Sequence, residues 1–387
     1  MMRFVIAVTL LAACRGGSSH RASARHDAGS VPASAVSVVP RLPRSPDGVA
    51  EMNRVDAEIA LAKEPFIAMP LVLLRASMRG RLDDFQDALA RSEAWLAAAP
   101  TQQAAIRTRV EVLERVHRFA DARALLGKLK DPADLALAID EATEAPEAAL
   151  PARKAAMDAW PTPTHIVSYA ATLALAGKID EALATMQKAA AAVHDNAPEL
   201  LAWMLFQWGR IYELDSRFAE ARDLFAAAHA RMPAYLEATA HLAQAMDATG
   251  DRAGAQKLVD EALADNRHPE LLGLAVRLGH AELTDEAKRE WERYVAALPL
   301  AFSDHAARFY LTVDPARALV LAKANLANRD TPEARALVGE AALAAGDPAA
   351  ACEAVAPLVD AKAPKAQRFI AWRALTKCGR TEEAERL

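Results

Sequence analysis

Cysteine is scarce in this chain. There are three in 387 residues, Cys14, Cys352 and Cys378, too few for a disulfide-dense scaffold. Aromatic residues make up 5% of a sequence that is 53% hydrophobic, so alanine supplies much of the apolar content. Alanine is the best helix former and suits close helix–helix contact better than strand pairing, so the fold is expected to be all-α. A net charge of −5 leaves no broad basic surface and argues against nucleic acid as a partner. Catalytic motifs are missing as well. The ten histidines are scattered, and none forms a His-Glu-x-x-His helix. No Cys-x-x-Cys pair, no Gly-x-Ser-x-Gly elbow and no Gly-rich phosphate loop is found. Acidic residues stand mostly beside Arg or Lys, as at Asp285, Glu286, Lys288 and Arg289, which is how an exposed helix face reads. The sequence therefore assigns no catalytic residue, no metal ligand and no cofactor.

What is present is a repeat. In Leu200–Pro233, Leu205, Trp208, Gly209 and Tyr212 fall on one helix face at spacings of three and four. After Asp215 and Ser216 a second period runs through Phe218, Ala221, Phe225 and Ala228, and Pro233 closes it. Two helices joined by a short turn pack as an antiparallel pair. The Trp-Gly followed by Tyr, the Ala of the second helix, the aromatic four residues on and the Pro resemble a tetratricopeptide repeat, with Leu205 where that family most often has Trp. The small residues that mark second helices fall at Ala88, Ala122, Ala148, Ala182, Ala221, Ala255, Ala287, Ala318, Ala351 and Ala384. The resemblance implies a right-handed superhelical solenoid of antiparallel helix pairs, roughly nine or ten units long.

The start of the chain reads differently. Met1 to Cys14 combines Arg3, an apolar run too short to span a membrane, and Leu11-Ala12-Ala13-Cys14. This is similar to a bacterial lipoprotein signal (residues 1–13), which implies lipidation at Cys14 and a permanent membrane anchor. Arg15 favours the outer membrane, facing the periplasm. Residues 14–48 are rich in Ser, Ala, Gly and Pro and read as a flexible tether of charge +3 between Arg15 and Gly48, ahead of a body of charge −9. First repeats are expected over 49–130 and further repeats over 164–387. Between them, 131–163 carries Pro146, Pro151, Pro161 and Pro163 and is expected to be bent or partly broken, a joint between two arms.

In such solenoids the first helices line a concave groove that binds peptides. The stripe Trp203, Phe206, Arg210 makes the Leu200 helix apolar on two sides, and Val167, Leu272 and Val276 continue it. These six are the candidate partner-binding residues. The same stripe in an earlier unit, Arg107, Glu111 and Glu114, reads as solvated. Cys352 and Cys378 fall at the same end of adjacent helices and form a candidate disulfide, with two free thiols as the other reading. The expected function is a membrane-anchored scaffold that holds a protein or peptide partner. A holdase for unfolded exported proteins is the alternative, and an enzyme with a site assembled from distant repeats is a third. No small-molecule substrate is expected, since solenoids rarely enclose a dry pocket.

Overall fold

The computed structural model describes residues 38–361 and 363–387. The signal-like stretch, Cys14 and most of the expected tether lie outside the described residues. The described chain is a solenoid of 21 α-helices without a strand, each packed on the next. No helix among the described residues is long and apolar enough to cross a membrane.

The repeat is set by its turns. Seven units end the first helix on a residue in the left-handed region, at Gly80, His117, Gly177, Ser216, Gly250, Gly346 and Gly379. The second helix begins two residues later, as at Phe119, Ile179, Phe218 and Thr381. Left-handed backbone costs glycine nothing and other residues something; His117 is buried there, and Ser216 sits exposed in the turn between two packed helices. Five residues after the turn comes the small residue that lets the pair close: Ala122, Ala182, Ala221, Ala255 and Ala384 are all buried. Two expected marks shift under this rule. In the first unit the position belongs to Phe85, not Ala88, and in the Pro-rich unit the buried residue is Ala149, with Ala148 exposed.

The Pro-rich unit is not broken. Pro146 and Pro163 open the helices Pro146–Ala159 and Pro163–Leu175 at the first turn, where no N–H is needed. Pro151 lies within an uninterrupted helix. The unit is tied together by a buried polar contact. Glu141 accepts from Arg153 and Thr172, and all three side chains are buried.

The expected tether also ends earlier than residue 48. Val38, Val39 and Leu42 pack on the core, and Arg231 donates to the Pro43 carbonyl and the Ser45 hydroxyl, both at 3.1 Å. Apolar side chains in that stretch bury against the middle of the chain before the first helix begins. At the far end Cys352 and Cys378 are joined as a disulfide, with their Cα atoms 6.4 Å apart. The one-turn helix Thr381–Ala384 keeps Ala384 buried.

The superhelix winds tightly enough to meet itself. Arg81 donates to the Asp265 carbonyl at 2.9 Å, the Leu82 N–H donates to the Tyr294 hydroxyl at 3.1 Å, and Asn328 donates to the His117 carbonyl at 3.0 Å. Phe85 meets Phe302 edge to face at 5.9 Å. The first helices therefore close over the concave side of the middle ones.

Candidate functional site

This closure decides the fate of the expected groove. In the helix Pro198–Leu214 every residue except Glu199 is buried. Trp203 and Phe206 are each 2% exposed. The Phe206 ring packs against Phe225, Tyr235 and His241 at 5.1 to 5.6 Å. Arg210 pairs with Glu213, which also holds His241 at 3.1 Å. Val167 and Leu272 are fully buried, and Val276 is half-buried against the second core. The six candidates lie in the interior, Val167, Trp203 and Phe206 in one core and Leu272 and Val276 in a second, and line no open groove. A helix apolar all round is covered all round, here by its neighbours on one side and by Met52, Val55 and Met69 of the opening helices in the same core. The Arg107, Glu111, Glu114 stripe is not solvated either. All three are half-buried, Arg107 pairs with Asp134 at 2.7 Å, and burial pushes Glu114 up to about 7.

The interior is not filled throughout. Between the helices Pro65–Arg79, Leu82–Ala98 and Gln103–Arg115 on one side and Leu236–Ala248, Pro269–Leu278 and Pro299–Val313 on the other lies a cavity of about 70 Å³. Its apolar wall is Ala76, Phe85, Leu236, Ala240, Ala301 and Phe302. Its polar wall brings together His117, His241, His268 and His305 with Arg115, Glu237 and Glu270. A smaller cavity adjoins it through Glu270 and His305 and is lined by Gln244, Trp291 and Arg308.

Each polar group has a definable state. The Nδ1 of His268 accepts from the Glu270 N–H at 3.1 Å, capping the helix that starts at Pro269. Burial pushes this imidazole down to about 3, so near pH 7 it is neutral with its proton on Nε2. That N–H is buried and has no acceptor, although the Gly80 backbone lies beside it. Burial, together with the Arg329 charge, pushes His117 down to about 4; its ring nitrogen Nδ1 donates to the Leu300 carbonyl at 3.1 Å. Burial alone would raise Glu270, but the hydrogen bond and charge of His305 outweigh it and hold the carboxyl at about 2. Glu237 is pushed up by burial toward its neutral form. Arg115 donates to the Ser77 hydroxyl at 2.6 Å, and Ser77 donates onward to the Leu73 carbonyl at 2.8 Å. The Arg115 Nε is buried without an acceptor, and among the described residues Arg115 forms no ion pair.

Histidines scattered along the sequence thus converge in space, four of the ten in one cavity. Sequence reading had no signal for this, because the partners are 27 to 188 residues apart and meet only through the closure of the superhelix. The arrangement lacks a nucleophile held by a base, since Ser77 is already committed to a backbone carbonyl. Among the described residues no group of three metal-ligating side chains is placed to hold an ion.

The same stripe opens at the end of the chain. In the helix Lys365–Lys377, Phe369 is 56% and Trp372 44% exposed, with their rings stacked at 5.9 Å. Arg373 lies over the Phe369 ring at 6.0 Å. This helix carries Lys365, Arg368, Arg373 and Lys377 and no acidic residue.

A tetratricopeptide repeat family model matches residues 214–278, and the helix pairs around it continue the same architecture. No curated protein matches the chain. Among solved structures, the APC/C hetero-tetramer Cut9-Hcn1 is similar at 13% identity over 83% of this chain and 67% of that one, with a TM-score of 0.46. A tetratricopeptide repeat protein from Parabacteroides merdae matches at 16% identity over 68% of this chain and 97% of that one, with a TM-score of 0.38.

Proposed function

We propose that this chain is a lipid-anchored periplasmic scaffold whose solenoid holds a protein partner at the outer membrane. The solenoid supports an interaction role in general. The leader that resembles a lipoprotein signal, ending at Cys14, supports the anchor and the compartment, and the Cys352–Cys378 disulfide agrees with an oxidising one. The partner docks on the terminal repeat and not in the middle of the superhelix. The observation that carries this is the stacked, exposed Phe369–Trp372 pair on a helix with four cations and no acid. Aromatic rings presented beside arginine are the usual anchors of a binding surface. Charge complementarity selects an acidic segment that brings apolar side chains of its own.

The test places a photoreactive residue singly at Phe369, Trp372, Trp203 and Phe206 in cells. One dominant protein captured at the first two positions and none at the last two is expected. Capture of many unfolded exported proteins would support the holdase reading instead, and no capture at Phe369 or Trp372 would overturn docking there. Membrane fractionation of Cys14→Ser tests the anchor separately. The variant should leave the membrane fraction, and retention would refute lipidation as the means of attachment.

A further inference from the structure

The cavity between the opening helices and the middle repeats is not used by the scaffold reading, and its chemistry is specific. We infer that it is a binding site for a small monocarboxylate bearing a short apolar group. Two buried donors lack a well-aligned acceptor, the Nε2–H of His268, a residue 4% exposed with only the Gly80 backbone beside this atom, and the Nε–H of Arg115. A buried donor without a partner carries the full cost of its desolvation. An acceptor that satisfies both is therefore strongly favoured. Arg115 is also a cation without an ion pair among the described residues, so the acceptor that suits it is an anion.

The acids already in the cavity do not fill that place. Glu270 is engaged by His305, and burial drives Glu237 toward neutrality, where the Tyr235 hydroxyl lies 3.4 Å away. The opposite wall, with Phe85, Phe302 and Leu236, cannot solvate a charge and suits hydrocarbon. A cavity of about 70 Å³ holds roughly five water-sized groups, which matches a carboxyl group and three or four carbons. Gly80 keeps the cavity open beside His268. A Cβ there would come within 2.5 Å of Leu236 and 3.5 Å of His268 Nε2. The carboxylate could belong to a free short-chain acid or to the C-terminal residue of a peptide, and the two sources can be separated.

Isothermal titration of the full chain with sodium isovalerate and with isoamyl alcohol tests the site. A second arm uses tripeptides ending in leucine, as the free acid and as the amide. Saturable binding of isovalerate but not of the alcohol is expected. Arg115→Gln should weaken binding about ten- to hundredfold, since a charge-assisted hydrogen bond is lost. Ala301→Leu should weaken it too by filling the apolar wall while leaving Arg115 intact, so that a folding defect in one variant does not decide the matter. Binding of the free-acid peptide alone keeps the carboxylate site and assigns its source to a chain end. Binding of neither acid, or binding unchanged in Arg115→Gln, overturns the inference. Neither result bears on docking at Phe369.

Discussion

Two helices of this solenoid carry the same face and meet opposite fates. Phe206 and Arg210 lie ten and six residues before the turn at Ser216, while Phe369 and Arg373 lie ten and six before the turn at Gly379. In the first helix the aromatic is 2% exposed, in the second 56%. The side chains do not explain the difference. The first helix has a repeat on each side and the opening helices across its concave face, whereas the described chain places nothing over the second. A stripe that would be a groove in an open superhelix becomes core wherever the superhelix closes. An interior position and a docking position are here one sequence pattern under two coverings.

Truncating Trp203, the buried aromatic one turn before Phe206, tests this most severely. Trp203→Ala should cost about 3–5 kcal/mol, close to Trp208→Ala, because each leaves a cavity in well-packed core. A denaturant titration of both variants checks it. A loss below about 1 kcal/mol for Trp203→Ala would mean that the middle groove is open in solution.

Acid should act on the interior and spare the end. His117 and His268 have folded values of about 4 and about 3, below the ordinary histidine value of 6.5. The unfolded chain therefore binds protons first as pH falls. Their contribution is whole above about pH 6.5 and is lost between there and about pH 3, on the order of 3–5 kcal/mol for each. Glu270 adds a loss from about pH 4.5 down to about 2, through its held-down carboxyl. Melting temperatures across that range should fall, and His268→Asn should flatten the decline.

The helix Lys365–Lys377 packs between Pro348–Val355 and the one-turn helix Thr381–Ala384 and is tied to the former by the Cys352–Cys378 bridge. Closing that 26-residue separation contributes about 3 kcal/mol in the chain-entropy model. Reduction should loosen the last repeat first, seen as faster amide exchange over 365–387. Two free thiols in the denatured, unreduced protein would remove the bridge from the account. A smaller effect is expected at Gly209, where a Cβ would lie 2.6 Å from the Phe225 ring. Gly209→Ala should cost about 1–3 kcal/mol through overpacking. Phe369→Ala and Trp372→Ala should stay within about 0.5 kcal/mol of the parent, as exposed positions do. A large loss there would show that this face is covered after all.

The helix pairs were legible because each is written locally, in a turn and a small residue shortly after it, with an aromatic four further in the clearest unit, Ser216, Ala221 and Phe225. Misplaced marks arose where local rules were broken. Phe85 stands where the other units have alanine, and its bulk faces Phe302 across the superhelix. The interior site was illegible for the opposite reason. Arg115 and His268 are 153 residues apart, and no short-range pattern records that they share a wall. Whether the face that carries Glu237 met water or another helix depended on curvature summed over many repeats.

The hydrogen bonds that join Leu82 to Tyr294 and Asn328 to His117 span 212 and 211 residues. Repeat arrays whose units touch only their neighbours can nucleate anywhere and fold by growth. This chain must also close a loop of some two hundred residues, a slow entropic step of the kind that high contact order imposes. Until it closes, Trp203 and Phe206 face water beside a finished stack of helices. A newly made copy therefore passes through an interval in which its own future core is a sticky groove. The time it spends there depends on how soon the first helices find the middle of the chain.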